Sequence, residues 1–492
     1  MAAHRKNASA KLEIEKKPRI LLSIAVGIAA VAIIAYLYFM NAGALLRWAY
    51  ALLALVLTGE AIRRINHLNG SFGAYMLGGR HGIDFIDRLS RSHKGLWIAL
   101  AEWGLTVSFG IFAYPFFRRF ISKKVFALGL ITIVVFLLFI LPYLSISMGF
   151  LNIPSITGKI NGEMANSTMN TGVNVEGIAL DSLSFVGGFA TFTFVSILYN
   201  AGSILYSTFF FVSTVVAGAP NNSLISSQIP GIAPVLPGLT MPLFAGIVSL
   251  VILLVVHEFS HGVLARIANV KLKSVGVLLF GIIPMGAFVE PDEKEMKKLS
   301  KEKQDRMLIA GISSNMLFSI FFFLIMLVLL FNIGSFCLTS IMVTATVPGY
   351  PANGIIAPGS RVISWNGYSI KNFSSFDVAA AGDKPFSTVS VKTNLGSYSF
   401  KTGSSGKIGV LLSEEYVPIG ILGSLLYFIF TVAALSFMLN FLVAVVNLLP
   451  IPGFDGWRIY DLEFKNKLFI KALAVAIVVA LLINLLPWAW TA

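Results

Sequence analysis

The sequence is poor in charge. Only 12% of its 492 residues are Asp, Glu, Lys or Arg, whereas 56% are hydrophobic, and the mean hydropathy is +0.82. Soluble domains carry about twice that charged fraction. The composition therefore excludes an ordinary soluble protein and predicts an α-helical polytopic membrane protein.

Cysteine and acidic side chains are also scarce. The single cysteine, Cys337, excludes an intramolecular disulfide and a cysteine-based zinc cluster. Asp and Glu number 23 against 37 Lys and Arg, which gives a net charge of +14. In a membrane protein this excess is expected on cytoplasmic loops that face anionic lipid. No basic run is interleaved with aromatic residues in a soluble segment, so we expect no nucleic-acid partner.

Long apolar runs are what the sequence has in abundance, and they predict about nine transmembrane helices. The run at 184–217 is unusually long, and it fits either one tilted helix or a helix with a re-entrant piece. The first run follows a basic amino end and is too long for the apolar core of a signal peptide. It is therefore predicted to be a transmembrane anchor with a cytoplasmic N-terminus. The nine runs are at about 20–40, 43–62, 96–117, 125–148, 184–217, 241–268, 307–332, 418–447 and 468–490.

The lysine-rich loop 269–306 predicts the orientation of the chain, because such loops stay in the cytoplasm. Residues 333–416 then lie outside the cell, and the protein is expected in the cell membrane of a prokaryote. Two basic pairs, Arg118-Arg119 and Lys123-Lys124, disagree, since the helix count places them outside.

Two charged residues, Arg47 and Glu102, lie within apolar runs. Charged groups at membrane depth are costly and are often functional. For these two, we expect that they pair with each other or reach the membrane surface.

The strongest chemical signal is His257-Glu258-Phe-Ser-His261, an HExxH motif inside the apolar run 241–268. Residues i and i+4 of a helix share a face, so both imidazoles can bind one zinc ion. Glu258 then lies beside the metal, where it can deprotonate water. A structural metal site or a polar helix contact is the simpler alternative. The motif favours hydrolysis inside the bilayer.

Two histidines leave a catalytic zinc site incomplete, because such sites have three protein ligands and an open position. The segment Asn447–Gly456 offers a candidate: Pro450 and Pro452 must break the preceding helix, and Asp455 follows them. The alternative is an ordinary loop with a solvated aspartate. His, His and carboxylate favour zinc over another divalent ion.

Together, HExxH and N-x-x-P-x-P-x-x-D-G resemble the site-2 protease family of intramembrane zinc metalloproteases, peptidase family M50. The resemblance covers about residues 230–465. It implies zinc bound by His257, His261 and Asp455, with Glu258 as the general base. Asn447 would correspond to a residue that holds substrate or the oxyanion near zinc.

Two further segments resemble family motifs. The segment from Phe280 to Pro291, which includes Gly281 and Gly286, is similar to a membrane-dipping hairpin whose free edge receives an unwound substrate strand. The segment Gly311–Asn315 resembles a G-x-x-x-N motif that would place Asn315 near substrate. Here Ile312 stands where many members have proline, and an interhelical polar contact is the alternative for Asn315.

Residues 338–413 predict a small β-rich domain. Alternating apolar residues and a turn at Asn366-Gly367 indicate strands and a hairpin. The pattern resembles the PDZ domains that the family often carries, although Ser360 replaces the usual aspartate. It implies either gating or capture of a cleaved peptide end.

These features divide the chain into five parts. They are an N-terminal transmembrane region of about four helices at 1–148, a loop-rich segment with a long apolar run at 149–240, the first part of a catalytic core at 241–335, a PDZ-like domain at 336–416, and the second part of the core with a last helix at 417–492. The N-terminal extension is reminiscent of archaeal members of the family.

The sequence thus predicts an intramembrane zinc metalloprotease that acts in regulated intramembrane proteolysis. Its partners would be the lipid bilayer, a membrane-protein substrate with a helix-weakened transmembrane segment and an upstream protease that supplies cut substrate. The alternatives are a transporter, for which no inverted repeat is visible, and a non-catalytic membrane scaffold.

Overall fold

The computed structural model describes residues 2–39, 44–79, 81–148, 175–218, 235–238, 240–347 and 349–487. They form two compact units. The described part of the first unit comprises residues up to 321 and from 435 onward, and that of the second comprises 322–434.

Helices make up most of the first unit, because its apolar runs satisfy their backbone groups internally only as helices. They are α1 (Ala2–Phe39), α2 (Ala44–Asn66), α3 (His81–Ser92), α4 (Lys94–Phe109), α5 (Ala113–Phe117), α6 (Lys123–Val135), α7 (Leu144–Met148), α8 (Val175–Val216), α9 (Leu243–Ile267), α10 (Glu293–Met296), α11 (Lys301–Leu308) and α12 (Ala310–Phe331), which continues into the second unit.

Three further helices belong to the end of the chain, after α13 (Phe373–Ala380) of the second unit. They are α14 (Gly420–Val446), α15 (Asp455–Glu463) and α16 (Lys467–Ile483). Within the described residues, six helical segments are long and apolar enough to cross a membrane: Lys94–Phe117, Lys123–Tyr143, Ser182–Val216, Leu243–Ile267, Ala310–Phe331 and Gly420–Val446. The chain is therefore a polytopic membrane protein.

The segment Lys94–Phe117 bends back on itself. Glu102 and the ring of Phe120 both contact the guanidinium of Arg306. A straight helix would separate them by about 27 Å, at 1.5 Å per residue. The chain reverses at Gly110, whose φ of +57° is one that glycine adopts readily.

The long apolar run at 184–217 lies in α8, which consists of two helical parts joined at the non-helical residue Gly188, where φ is +64°. A Cβ atom on Gly110 would lie 2.5 Å from the backbone nitrogen of Gly188. The two breaks therefore pack backbone against backbone, and both need glycine.

The basic residues 118–124 lie beside the lysine-rich loop. Arg119 and Lys301 approach the same carboxylate, that of Glu463, at 4.0 and 3.5 Å. These residues consequently share one side of the first unit. The reversal of the chain at Gly110 brings Arg119 to this side.

A four-stranded antiparallel sheet lies in the first unit, in the order β1 (Gly70–Ser71), β2 (Ala74–Gly79), β3 (Leu272–Phe280), β4 (Ile283–Pro291). The sequence predicted only the β3–β4 hairpin. Strand β2 pairs with β3 from Ala74 opposite Phe280 to Gly79 opposite Val275. The N-terminal region therefore covers β3, and β4 is left as an edge strand.

The second unit contains the predicted β-rich domain. Its strands are β5 (Cys337–Thr346), β6 (Arg361–Trp365), β7 (Tyr368–Ser369), β8 (Thr388–Thr393), β9 (Ser397–Lys401) and β10 (Val410–Pro418), in the order β10-β5-β6-β8-β9 with β7 on β6. The hairpin at Asn366-Gly367 is confirmed: it joins β6 to β7, and both residues have positive φ. The domain has a core of its own around Trp365 and Val389.

Candidate metal centre

The HExxH motif lies on α9, as the sequence predicted. The two imidazoles project from successive turns of the same face, and their Nε2 atoms are 3.3 Å apart. Their side chains are 12% and 18% exposed, for His257 and His261 respectively. The pair is thus nearly enclosed by protein.

Asp455 is brought to this pair by the break that follows α14. After Val446 the chain leaves the helix, and α15 begins at Asp455 itself. The N–H of Gly456 donates to the carbonyl of Asn447 at 2.7 Å. A Cβ atom on Gly456 would lie 2.6 Å from that oxygen, so only glycine permits the turn. The turn places Oδ2 of Asp455 3.2 Å from Nε2 of each histidine.

The donor atoms of His257, His261 and Asp455 fit a zinc ion. Tetrahedral ligands with bonds of about 2.0–2.1 Å are roughly 3.3 Å apart, and these three atoms are separated by 3.2–3.3 Å. They are the one group of three metal-binding side chains found among the described residues.

Gly311, at the start of α12, leaves room in front of these donors. A Cβ atom there would lie 2.5 Å from Nε2 of both His257 and His261. Any larger residue would fill the space that an ion needs. The sequence had given this glycine no role beyond its place in the G-x-x-x-N pattern.

The outer nitrogens of both rings also have partners, one on α11 and the other on α12. Nδ1 of His261 lies 2.8 Å from the carbonyl of Met307. Nδ1 of His257 lies 3.1 Å from Nδ2 of Asn315. The structure therefore places Asn315 against a candidate metal ligand, as a contact between helices.

Glu258 faces the edge of the sheet. The N–H of Val289, on β4, donates to its Oε2 at 3.3 Å. In an antiparallel strand every second residue points its backbone groups to the same side. Ala287 therefore also directs its N–H and C=O to the free edge, next to the predicted general base.

The other predicted substrate-binding residues are placed as follows. Asn447 follows the last turn of α14, where its carbonyl accepts from Gly456. Gly281 forms the β3–β4 turn with φ of +61° and donates its N–H to Gly73, so its contacts are with the N-terminal region. Gly286 lies on the edge strand opposite Leu278, next to a register shift.

Two carboxylates near the metal centre have shifted pKa values. Burial opposes ionisation of Asp455, but His261 and His257 outweigh it and hold the pKa of Asp455 below its usual range. Burial, with the nearby Glu463, raises the pKa of Asp305 on α11 to about 7. Both oxygens of Asp305 are buried and without a hydrogen-bond partner among the described residues.

Helix α3, which lies between the apolar runs identified in the sequence, packs directly on the HExxH helix. The rings of Phe85 and Phe259 meet edge to face, with centroids 5.7 Å apart. Asp87 binds the guanidinium of Arg266 through both oxygens. The signal was present in the sequence, as apolar residues at helical spacing between charges.

The expectation for Glu102 is corrected, whereas that for Arg47 stays untested. The partner of Glu102 is Arg306, whose Nη2 lies 2.5 Å from its Oε1, and the side chain of Arg47 lies outside the described residues. Both members of the ion pair are largely buried, at 7% and 15% exposure. The ion pair joins α4 to α11, and its Arg306 directly precedes Met307.

The sequence of this centre matches known proteins. A 244-residue stretch is 29% identical to an uncharacterized protein of Methanocaldococcus jannaschii, covering 48% of this chain and 62% of that relative. The model of peptidase family M50 matches residues 245–487, which contain both histidines, Glu258 and Asp455. Residues 245–487 thus match peptidase family M50, the site-2 protease family.

Proposed function

We propose that this protein is a zinc-dependent intramembrane endopeptidase that cuts the transmembrane segments of other membrane proteins. The observation that carries the proposal is the convergence of two His Nε2 atoms and one Asp Oδ2 at 3.2–3.3 Å beside Glu258. All three ligands and the base are present, which does not favour a non-catalytic scaffold. A transporter would leave the centre without a role.

When bound, zinc would act as a Lewis acid that polarises the scissile carbonyl and acidifies the attacking water. His257, His261 and Asp455 would hold the ion and leave one position open to water and substrate. Glu258 would accept a proton from the water and return it to the leaving amine.

The free edge of β4 is the proposed substrate platform. A helix hides its carbonyls, so a transmembrane substrate must unwind before cleavage, and helix-weakening Gly, Pro or Asn near the cut is expected. An unwound strand that pairs with Ala287 would be laid beside Glu258 by backbone hydrogen bonds alone. Asn447 is proposed to hold the same strand or the developing oxyanion.

The β-rich domain is proposed to be PDZ-like and to lie outside the cell membrane. The lysine-rich loop, with residues 118–124, would face the cytoplasm, as basic loops do. The domain would then gate access or capture the end of a substrate that another protease has cut.

The test combines metal content with cleavage of a reconstituted transmembrane substrate. We expect about one zinc per chain, in line with a site of three protein ligands and one open position. Glu258→Gln should keep the zinc and lose turnover, whereas His257→Ala and Asp455→Ala should lose the metal. Asp461→Ala is the matched control, because this aspartate forms an exposed pair with Lys467. Cleavage by the Glu258→Gln variant would disprove the role of the base.

A further inference from the structure

Asn315 lies one helical turn after Gly311 and on the same face of α12, so it is directed at the imidazoles of the metal centre. Its side chain is fully buried. Nδ2 lies 3.1 Å from Nδ1 of His257. Its Oδ1 has no hydrogen-bond partner among the described residues. The Nδ2 group of the amide is thus hydrogen-bonded, whereas its Oδ1 atom is not.

The contact that Asn315 makes fits a metal-free His257. An N–H of the amide can donate to Nδ1 only when that nitrogen carries no proton. The ring proton is then on Nε2, where it can be donated to Oδ2 of Asp455 at 3.2 Å. In this tautomer Nε2 has no lone pair for a metal.

A metal-bound His257 needs the opposite tautomer. When Nε2 ligates, the proton moves to Nδ1 and requires an acceptor. The oxygen and nitrogen of an amide occupy nearly equivalent positions. Half a turn of the Asn315 amide would therefore bring its Oδ1 to Nδ1–H.

His261 differs from His257 in this respect. Its Nδ1 faces the carbonyl of Met307 at 2.8 Å, and a carbonyl can only accept. One proton of His261 is therefore fixed on Nδ1, which leaves Nε2 as its ligand atom in the metal-bound form. Of the two histidines, only His257 has a partner that can serve both tautomers.

We propose that Asn315 is a positioning residue that sets the tautomer of His257, and that its amide rotates by half a turn when zinc binds. The inference rests on the proposed zinc function and refines it. It gives Asn315 a role toward the metal ligand in place of the substrate contact that the G-x-x-x-N pattern suggested.

Two substitutions at this position have opposite expected effects. Asn315→Leu keeps the size but removes donor and acceptor, and it should raise the zinc Kd by about 10- to 100-fold, as loss of an outer partner typically does. Asn315→Asp supplies an acceptor in the form most often found behind zinc-binding histidines. Its zinc Kd should equal or fall below that of the wild type, measured by competition with a chelator.

Asn440→Leu is the matched control. Asn440 is also fully buried in an apolar helix, but its amide donates to the carbonyl of Ser436 in the same helix. Its loss should leave the zinc Kd unchanged. Size-exclusion profiles of the three variants would establish that each is folded.

The tautomer itself can be read in metal-free protein labelled with 15N-histidine, with His257→Ala to assign the signal. We expect the proton of His257 on Nε2 in the wild type and on Nδ1 in Asn315→Asp. If Asn315 had only a structural role, the proton of His257 would be on the same nitrogen in Asn315→Asp as in the wild type.

Three results would overturn the proposal. Wild-type zinc affinity in Asn315→Leu, with a change in KM only, would make Asn315 a substrate contact. A loss of zinc affinity in Asn315→Asp as large as that in Asn315→Leu would exclude tautomer control. A wild-type protein without zinc would overturn the proposed function as well, so the two failures are distinguishable.

Discussion

Nε2 of His261 and Oδ2 of Asp455 lie 3.2 Å apart although 194 residues separate them in the chain. The first lies on a continuous helix and the second at the start of a helix that follows a proline-rich break. A metal centre assembled in this way depends on everything that holds those two segments together.

Gly311→Ala should abolish zinc binding without unfolding the protein. The added methyl group would lie 2.5 Å from Nε2 of both histidines, closer than any stable contact. Zinc content after purification measures the effect. Gly334→Ala is the control, since a Cβ atom there meets nothing within 4 Å. Wild-type zinc content in Gly311→Ala would show that the ion binds elsewhere.

Glu102→Gln should destabilise the protein by roughly 3–5 kcal/mol, the usual effect of removing one partner of a buried ion pair. Arg306 would keep its more exposed partner, Glu302, but lose the buried one. The midpoint of thermal unfolding in detergent ranks the variants by stability. Glu302→Gln is the matched control: its side chain is 44% exposed, and such pairs contribute about 1 kcal/mol or less. Equal shifts in both variants would contradict the assignment.

Asp305 should make the protein less stable as the pH rises. Burial and Glu463 raise its pKa to about 7 in the folded state from 3.8, against the opposing effects of Lys301 and Arg119. Between those values the folded chain holds a proton that the unfolded chain has released, so stability falls as the pH rises from about 4 and the loss is complete above about 7.

Asp305→Asn removes this dependence. The variant should unfold at a higher temperature than the wild type at pH 8, and the difference should shrink at pH 5. Asp461→Asn, at an exposed position, provides the control. A difference that does not change between the two pH values would show that Asp305 does not titrate in this range.

Ala287→Pro should impair cleavage but not zinc binding. The substitution removes an N–H that points to the free edge of β4, and it leaves the β3 ladder with its own bonds. If substrate pairs with this edge, kcat/KM should fall about tenfold or more, in keeping with loss of a backbone hydrogen bond to an aligned substrate. Ala287→Val, which keeps the N–H, should retain most activity. An unaffected proline variant would exclude strand pairing at this position.

The N-terminal region carries no recognised motif, yet it contacts the metal-centre elements at several points. Strand β2 covers β3, Asp87 binds Arg266 on the HExxH helix, and Glu102 binds the residue before Met307. The N-terminal helices and strands thus support the elements that carry the metal centre.

The sequence by itself determined the features that depend on near neighbours and composition. Low charge and long apolar runs required membrane helices, the spacing of His257 and His261 placed them on one face, and Pro450 and Pro452 ended α14 before Asp455. The Asn366-Gly367 turn followed from its demand for positive φ. These results are local because helix periodicity, proline and glycine act within a few residues.

The tertiary structure alone decided which distant groups meet. Nothing within a few residues of Glu102 specifies Arg306 as its partner, and Gly311 is a glycine because two imidazoles from another helix need the space of its missing side chain. The orientation of Asn315 toward His257 likewise depends on the packing of two apolar helices. In an apolar interior each polar group requires a partner, and only the fold brings that partner within reach.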